Sequence, residues 1–491
     1  MRGDDCANAS RSAWSRALMS APLSDATSPP ESRPQLRSGV VTLLAASTLG
    51  VVMLSPAITL YGNFAAAFVG AGKAAPLAFT LALLATLPTA ASYALLARDR
   101  PAAGSAATWT QAALGPAIAR WLGLMVVFYY VTNFVLQPVT FGLFFGELCA
   151  SLGLSGIWPY TIGCVLCCAI PATMVFRGVA PSMHGALVFL VFEAVVVIAL
   201  CATAAVTHPG GPLDGQGFQP QSAPGGASGL LQGMVFALLS FCGFDVVSTL
   251  AEEAKMPRRM IPQATFVSLL SFGVLIILGI WCLTFSASPE RLRALAAADG
   301  MPISALARDL WGRGAIFVTL TGISAALGIS IATSVGASRV LFSMARDGLL
   351  PRVFARLDPK SQVPRAGLAL VFVLGLAGAL FVAFFLGPWR TYQWWGITST
   401  FFAMITFTFV NACNLVLNHP RRSEGLGAFL LYVALPAVGI ATDLYLLVQS
   451  FFVEAWKQGP LGQSAIAFDV LCAIACVPLI FTARKAAPSA A

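Results

Sequence analysis

Three polar features interrupt apolar stretches of this chain, and each brings residue types suited to a charged ligand. The densest is Leu239–Pro262, LSFCGFDVVSTLAEEAKMPRRMIP, where Cys242-Gly243 breaks an apolar helix beside Asp245, before a charge cluster. An acid near the middle of a bilayer span costs roughly 2.5–3.5 kcal/mol. Backbone that leaves helical geometry there must be buried in protein or line a watery cavity. Both in one helix point to a polar ligand handled inside the membrane. The plain structural alternative is a kinked packing helix whose Gly243 permits close contact.

A second interruption lies in VVTLLAASTLGVVMLSPAITLYGNF, punctuated by Gly50, Ser55-Pro56-Ala57 and Gly62. Pro56 removes one backbone hydrogen bond and opposes the preceding carbonyl sterically, and Ser55 offers a hydroxyl where the ladder opens. The third feature is Glu193 in LVFLVFEAVVVIAL. Eleven residues into its run, it is roughly 16 Å deep at 1.5 Å per residue, near the centre of a ~30 Å core. Apolar surroundings disfavour a charged carboxylate, so a group so placed could take up and release a coupling proton. A carboxyl neutralised by a neighbouring helix, serving as packing glue, is the competing reading. Tyr129, Tyr130 and Asn133 form a further polar cluster. Asn133 shares a helix face with each tyrosine, at three and four residues. They could line a substrate path through hydroxyl and amide contacts, but packing through an interhelical hydrogen bond is the favoured reading.

The elements that must hold these residues are membrane helices. The chain of 491 residues is 58% hydrophobic and 10% charged, with mean hydropathy +0.81, whereas soluble domains carry about 25% charged residues. Apolar runs of spanning length recur from Gly39 onward without a polar linker. They predict an all-α polytopic membrane protein with twelve transmembrane helices at about 39–68, 75–97, 120–147, 157–176, 182–206, 229–251, 263–285, 314–338, 366–386, 392–418, 428–451 and 465–483. Residues 1–38, rich in Ser, Pro and Arg, read as a disordered cytoplasmic tail, and 486–491 as a short C-terminal one. Most of the 29 Lys and Arg then fall on the side shared by both termini, the cytoplasmic side by the positive-inside rule. The +9 net charge is therefore a topology signal, and nucleic acid is not expected as a partner.

Broken segments in spans one and six, five spans apart, are the pointer to an inverted-repeat transporter with its site near the midplane. Freed N–H groups can hold a carboxylate and freed carbonyls an ammonium. Ser55, Pro56 and Ala57 at the first break, and Phe241, Cys242, Gly243, Phe244 and Asp245 at the second, are thus candidate substrate residues, with Tyr129 and Asn133 beside them. Cys164, Cys167 and Cys168 lack the fourth ligand of a structural zinc site and read as buried packing. His184, His208 and His419 are scattered, so neither a metal nor a cofactor is expected.

FCGFDVVSTLAEEAKMPRRMIPQA resembles the sixth-helix signature of the amino acid–polyamine–organocation permeases. PAAGSAATW, SRVLFSMARDGLLPRVF and FTFVN agree with it in order and spacing. The resemblance runs from about Gly39 to Arg484. It implies a five-plus-five inverted repeat (about 39–206 and 229–418 within a 39–485 transporter domain) followed by two extra helices (about 428–483). It also implies secondary transport of amino acids or related amines by alternating access. Glu193 sits where proton-coupled relatives carry a lysine, which implies H+ as the coupling ion. Gly50-Val51-Val52-Met53-Leu54-Ser55-Pro56 is more similar to the putrescine importer branch, and a multi-pass bacterial inner membrane protein is implied. Against a diamine, span three shows Phe128-Tyr129-Tyr130 where several relatives carry Asp, so the expected substrate stays broad. A polyamine importer or an amino acid exchanger are the alternatives.

No continuous charged ring suggests a channel, no P-loop suggests an ATP-driven pump, and no converging nucleophile or acid–base set suggests an enzyme. Glu252, Glu253, Lys255, Arg258 and Arg259, with a second cluster after span eight, could latch an inner gate. Most of them are expected to be solvated topology anchors.

Overall fold

In a computed structural model of the chain, residues 35–207, 215–298 and 301–482 are described. The tails expected at 1–38 and 486–491 therefore lie outside them, apart from residues 35–38, as does His208. Among the described residues there is no β-strand, only an isolated bridge between Val41 and Ala254. Eleven helical runs among the described residues are long and apolar enough to cross a membrane. The first of these, Leu43–Asp99, has 57 residues and is not one straight rod. It comprises α1 (Leu43–Leu54), a short stretch from Pro56 through a π-turn at Thr59–Asn63, α2 (Phe64–Ala71) and α3 (Ala75–Asp99). Gly72, at φ +54°, turns the chain between α2 and α3.

The principal helices after these are α4 (Ala106–Leu114), α5 (Pro116–Ser151), α6 (Ile157–Val175), α7 (Val179–Thr207), α8 (Ala227–Leu239), α9 (Pro257–Thr284), α10 (Pro302–Trp311), α11 (Ile316–Arg346), α12 (Arg365–Leu386), α13 (Pro388–Asn418), α14 (Leu435–Val448) and α15 (Pro460–Ala475), with shorter ones at Pro289–Ala297, Leu426–Phe429 and Pro478–Thr482. Local chemistry sets several boundaries. Thr42 caps α1 by accepting from the Ala45 N–H at 3.3 Å. Gly115, at φ +87°, precedes Pro116 at the first position of α5, where the missing N–H costs nothing.

The long spanning helices are largely apolar all round, so burial rather than amphipathicity assigns their faces. On α7, Ala186, Glu193, Val197, Leu200 and Ala204 are buried, a stripe at helical spacing, while Val188, Val191 and Val195 are exposed. That stripe packs against α1 and α11 and aims Glu193 inward. Phe381, Phe384 and Phe385 of α12 are likewise exposed, as suits a lipid-facing surface. α5 and α11 are central: α5 packs on α6, α11 and α13.

The cysteine cluster has ordinary partners: the Cys164 thiol donates to the Pro138 carbonyl, and Cys167 lies 3.4 Å from the Ser330 hydroxyl. The post-helix charge cluster divides in two. Lys255, Arg258 and Arg259 are exposed, as solvated anchors would be. Glu252 and Glu253 instead form ion pairs with Arg346 and Arg339, because α11 brings its cationic end against the chain leaving the second break.

Candidate functional site

The first break centres on Ser55. α1 ends at Leu54, and Ser55 takes φ +44°, a conformation that costs a non-glycine residue on the order of 1–3 kcal/mol. The next turn starts at Pro56, which has no N–H to offer. Glu193 fills the opening from α7. Its Oε1 accepts from the Ser55 hydroxyl and from the Ala57 N–H, each at 2.6 Å. The Ile58 N–H donates to the Ser55 Oγ at 3.3 Å, and the Thr59 hydroxyl to the Leu54 carbonyl. A carboxylate on orphan N–H groups is what an exposed helix start favours, and here the protein supplies it.

The second break begins where α8 ends at Leu239. Residues 240–243 form a turn, Gly243 has φ +130°, and a 3-10 stretch runs from Phe244 to Leu250. The two breaks abut: a Cβ on Gly243 would lie 2.8 Å from Met53 Cγ and 3.2 Å from the Met53 carbonyl oxygen. Just outward, the Asn63 amide donates to the Ser240 hydroxyl at 2.9 Å. Asp245 is buried and accepts from Tyr129 at 3.1 Å and from Tyr130 at 2.6 Å. The tyrosine pair of α5 is therefore a cap on the acid of the second break.

Between the breaks lies a cavity of about 460 Å³. Leu54, Ile58 and Thr59 reach it from the first break, Ser240 and Cys242 from the second, and Tyr129, Asn133, Gln137 and Thr140 from α5. α13 closes the far wall with Tyr392, Ser399 and Thr400. Of the residues singled out in the sequence, Tyr129, Asn133 and Cys242 line this space. Asp245 stands one hydroxyl behind Tyr129. Ser55, Ala57 and Glu193 are joined to one another beneath the wall, and Pro56 and Gly243 shape the backbone. Phe241 and Phe244 turn away, Phe241 edge-on to Phe272 and Phe244 onto Tyr93 and Phe407. A 3-10 turn advances about 120° per residue, which rotates the aromatic faces off the cavity.

Two features went unread in the sequence. Gln137 continues the Tyr129–Asn133 stripe by one more four-residue step, a spacing that could have found it. Asp443, in the apolar run of α14, is held by the Asn411 amide at 2.9 Å and the Thr89 hydroxyl at 3.3 Å. The rule that picked out Glu193 applies equally to it.

At the opposite end from Tyr392 the helices are sealed. The Val40 and Val41 N–H groups donate to the Glu253 carbonyl at 3.0 and 2.9 Å. Arg346 grips Glu252 through two 2.7 Å bonds, and the Ala103 N–H donates to the same carboxylate. Burial opposes ionisation of Glu252, but these donors outweigh it and hold its carboxyl below the ordinary value. Arg339 and Glu253 pair in full burial, and the Ser105 and Ser248 hydroxyls meet one turn away.

Comparison with known proteins agrees with this architecture. Residues 41–476 match the family described as amino acid permease. The chain is 25% identical over 439 residues to the low-affinity putrescine importer PlaP of Escherichia coli K12, covering 86% of this chain and 90% of that protein. It is 28% identical over 318 residues to the branched-chain amino acid permease BcaP of Bacillus subtilis, covering 60% and 65%. With the vacuolar cationic amino acid transporter 4 of Arabidopsis thaliana it shares 29% over 376 residues, 71% of this chain and 58% of that one. A match that spans nearly all the membrane helices and both breaks leaves one assignment: the chain belongs to the amino acid permease family, and is a multi-pass membrane transporter rather than an enzyme.

Proposed function

We propose that this permease is a secondary active importer of an amino acid or related amine, working by alternating access and driven by protons, captured here facing outward. The observation that carries the proposal is the cavity's asymmetry. It runs from the two breaks to Pro302, Trp389, Glu454 and Gln458, in or beside segments that the charge distribution assigns to the outer side. The other end is closed by the Glu253–Arg339 and Glu252–Arg346 pairs. A carrier needs one closed end at a time, whereas a channel needs a continuous path.

The architecture in this reading has twelve crossings, because the Leu43–Asp99 run is too long for one: 57 residues make about 85 Å of helix against a ~30 Å core. Breaks in crossings one and six support the five-plus-five inverted repeat, with two helices appended. Tyr129, Asn133 and Cys242 contact substrate, Asp245 acts through Tyr129, and Glu193 carries the coupled proton. The closed end faces the cytoplasm.

Counterflow in proteoliposomes tests this reading. Purified protein loaded with unlabelled amino acids and amines should draw labelled substrate inward against its own gradient, and an imposed inward proton gradient should raise accumulation. Passive equilibration without exchange would remove the carrier reading, and accumulation indifferent to the proton gradient would remove the coupling.

A further inference from the structure

We propose that the substrate is an amine without a carboxylate, and that Glu193 is the residue that excludes the carboxylate. The inference rests on the transport reading above and narrows its substrate class. It starts from the backbone donors at the first break. The Ser55 N–H is bonded to the Val51 carbonyl at 2.9 Å, Pro56 has none, the Ala57 N–H is held by Glu193 and the Ile58 N–H by Ser55. A helix start is where a substrate carboxylate would find paired N–H groups. In this chain the protein's own carboxylate already occupies that position, and a second anion would meet both a filled cradle and a like charge.

The cavity offers no substitute. Among the described residues its wall contains no Lys, Arg or His, and its one charged side chain is the acid Glu454. Three threonine hydroxyls on the wall have spent their hydrogens on carbonyls: Thr59 on Leu54, Thr140 on Leu136 and Thr400 on Gly396. Tyr129 spends its own on Asp245. What these groups turn toward a ligand is oxygen lone pairs.

Gln137 adds a fixed acceptor. Its Nε2 donates to the Asn133 carbonyl at 2.8 Å, which settles the orientation of the amide and leaves Oε1 buried without a partner beside the cavity. Neutral donors such as the Asn133 amide remain, but a carboxylate would find no full positive charge. An ammonium instead meets acceptor oxygens, the rings of Tyr129, Phe236, Trp389 and Tyr392 that can attract a cation, and Asp245 one hydroxyl away.

The test uses pairs of ligands that differ by one carboxylate: 1,4-diaminobutane against ornithine, 1,5-diaminopentane against lysine, and 3-methylbutylamine against leucine. Binding to the purified full-length protein is measured by thermal stabilisation across a concentration series, and exchange is measured in proteoliposomes. In at least one pair the amine should bind roughly 100-fold more tightly, as expected when an anion is left unpaired in a buried site. Glu193→Ala, checked for folding by its unfolding temperature, frees the Ala57 N–H and should shrink that gap by about tenfold or more. Equal or tighter binding of the carboxylated members to the wild-type protein overturns the inference while leaving the carrier reading intact. An undiminished gap in folded Glu193→Ala overturns the role of Glu193. If no member of any pair binds or exchanges, the inference falls together with the transport reading.

Discussion

Removing Glu253 should open the closed end of the permease. Glu253 and Arg339 have side chains only 2% and 4% exposed, so neither charge can fall back on water. Truncating one partner of a buried pair costs about 3–5 kcal/mol, because the other charge is stranded. Arg339 keeps a second acceptor, the Val335 carbonyl at 2.9 Å, which places Glu253→Gln at the lower end, about 3 kcal/mol. The pair joins the chain after the second break to α11, and the Glu253 backbone also ties down residues 40–41. The loss therefore falls on the sealed conformation, and ~3 kcal/mol shifts its equilibrium by roughly 150-fold. Hydrogen exchange reads this directly. The Val40, Val41 and Lys255 amides, hydrogen-bonded across the seal, should lose about two orders of magnitude of protection in Glu253→Gln. Glu253→Met with Arg339→Met should recover most of it, since apolar replacement of a whole buried pair is often near neutral. Unchanged protection in a folded Glu253→Gln protein would refute the claim that this pair holds that end shut.

Gly243→Leu should abolish uptake while the protein still inserts, because φ +130° is strained for any side chain and even a Cβ would press on Met53; uptake at matched membrane levels checks this, and wild-type transport would discard the second break as a substrate site. Glu193→Gln keeps an acceptor for the Ala57 N–H but cannot titrate. It should abolish accumulation driven by a pH gradient and spare exchange, compared side by side in proteoliposomes. Unchanged pH-driven uptake would assign the proton elsewhere, and equal loss of both activities would leave Glu193 structural. The Glu252–Arg346 contact has a pH signature. The Glu252 carboxyl is held below its ordinary value, so its contribution is complete above the usual carboxylate range of about 4–4.5. It is lost as pH falls through the lower folded value. Protection of the Ala103 amide should therefore be flat from about pH 8 to 5, fall below that range, and lose this acid dependence in Glu252→Gln.

The breaks were legible because they are written in residues with strict backbone consequences. Pro56 cannot donate to a helix and Gly243 permits a positive φ, so each marks its interruption without any knowledge of neighbours. Glu193 was legible because a charge in an apolar run needs a reason. Side-chain direction was not, since a helix that is apolar on every face gives no period to read. Hence Phe241 and Phe244, adjacent to the break, turned out to face its packing side, and Gln137, two turns from Tyr129, reached the cavity. The fate of the charge cluster was also hidden. Glu252 and Glu253 are held by Arg346 and Arg339, which come from 94 and 86 residues further along the chain, a distance no local pattern reveals.

The absent acid in span three shows how such a conflict resolves in three dimensions. Phe128-Tyr129-Tyr130 offers no carboxylate, which argued against a diamine as long as α5 was considered alone. In the folded chain Tyr129 and Tyr130 both donate to Asp245, so the acid reaches the cavity wall from the second break through a phenol. A tyrosine that gives its hydrogen to a carboxylate turns a more electron-rich oxygen outward. It can thus accept from an ammonium without leaving the carboxylate itself bare in the membrane. The same division of labour holds at the first break, where Glu193 spends its charge on Ser55 and Ala57 rather than on the cavity. Glu193 and Asp245 are therefore each satisfied before any ligand arrives. The cost of burying them is met by the protein, and an entering amine has to displace neither.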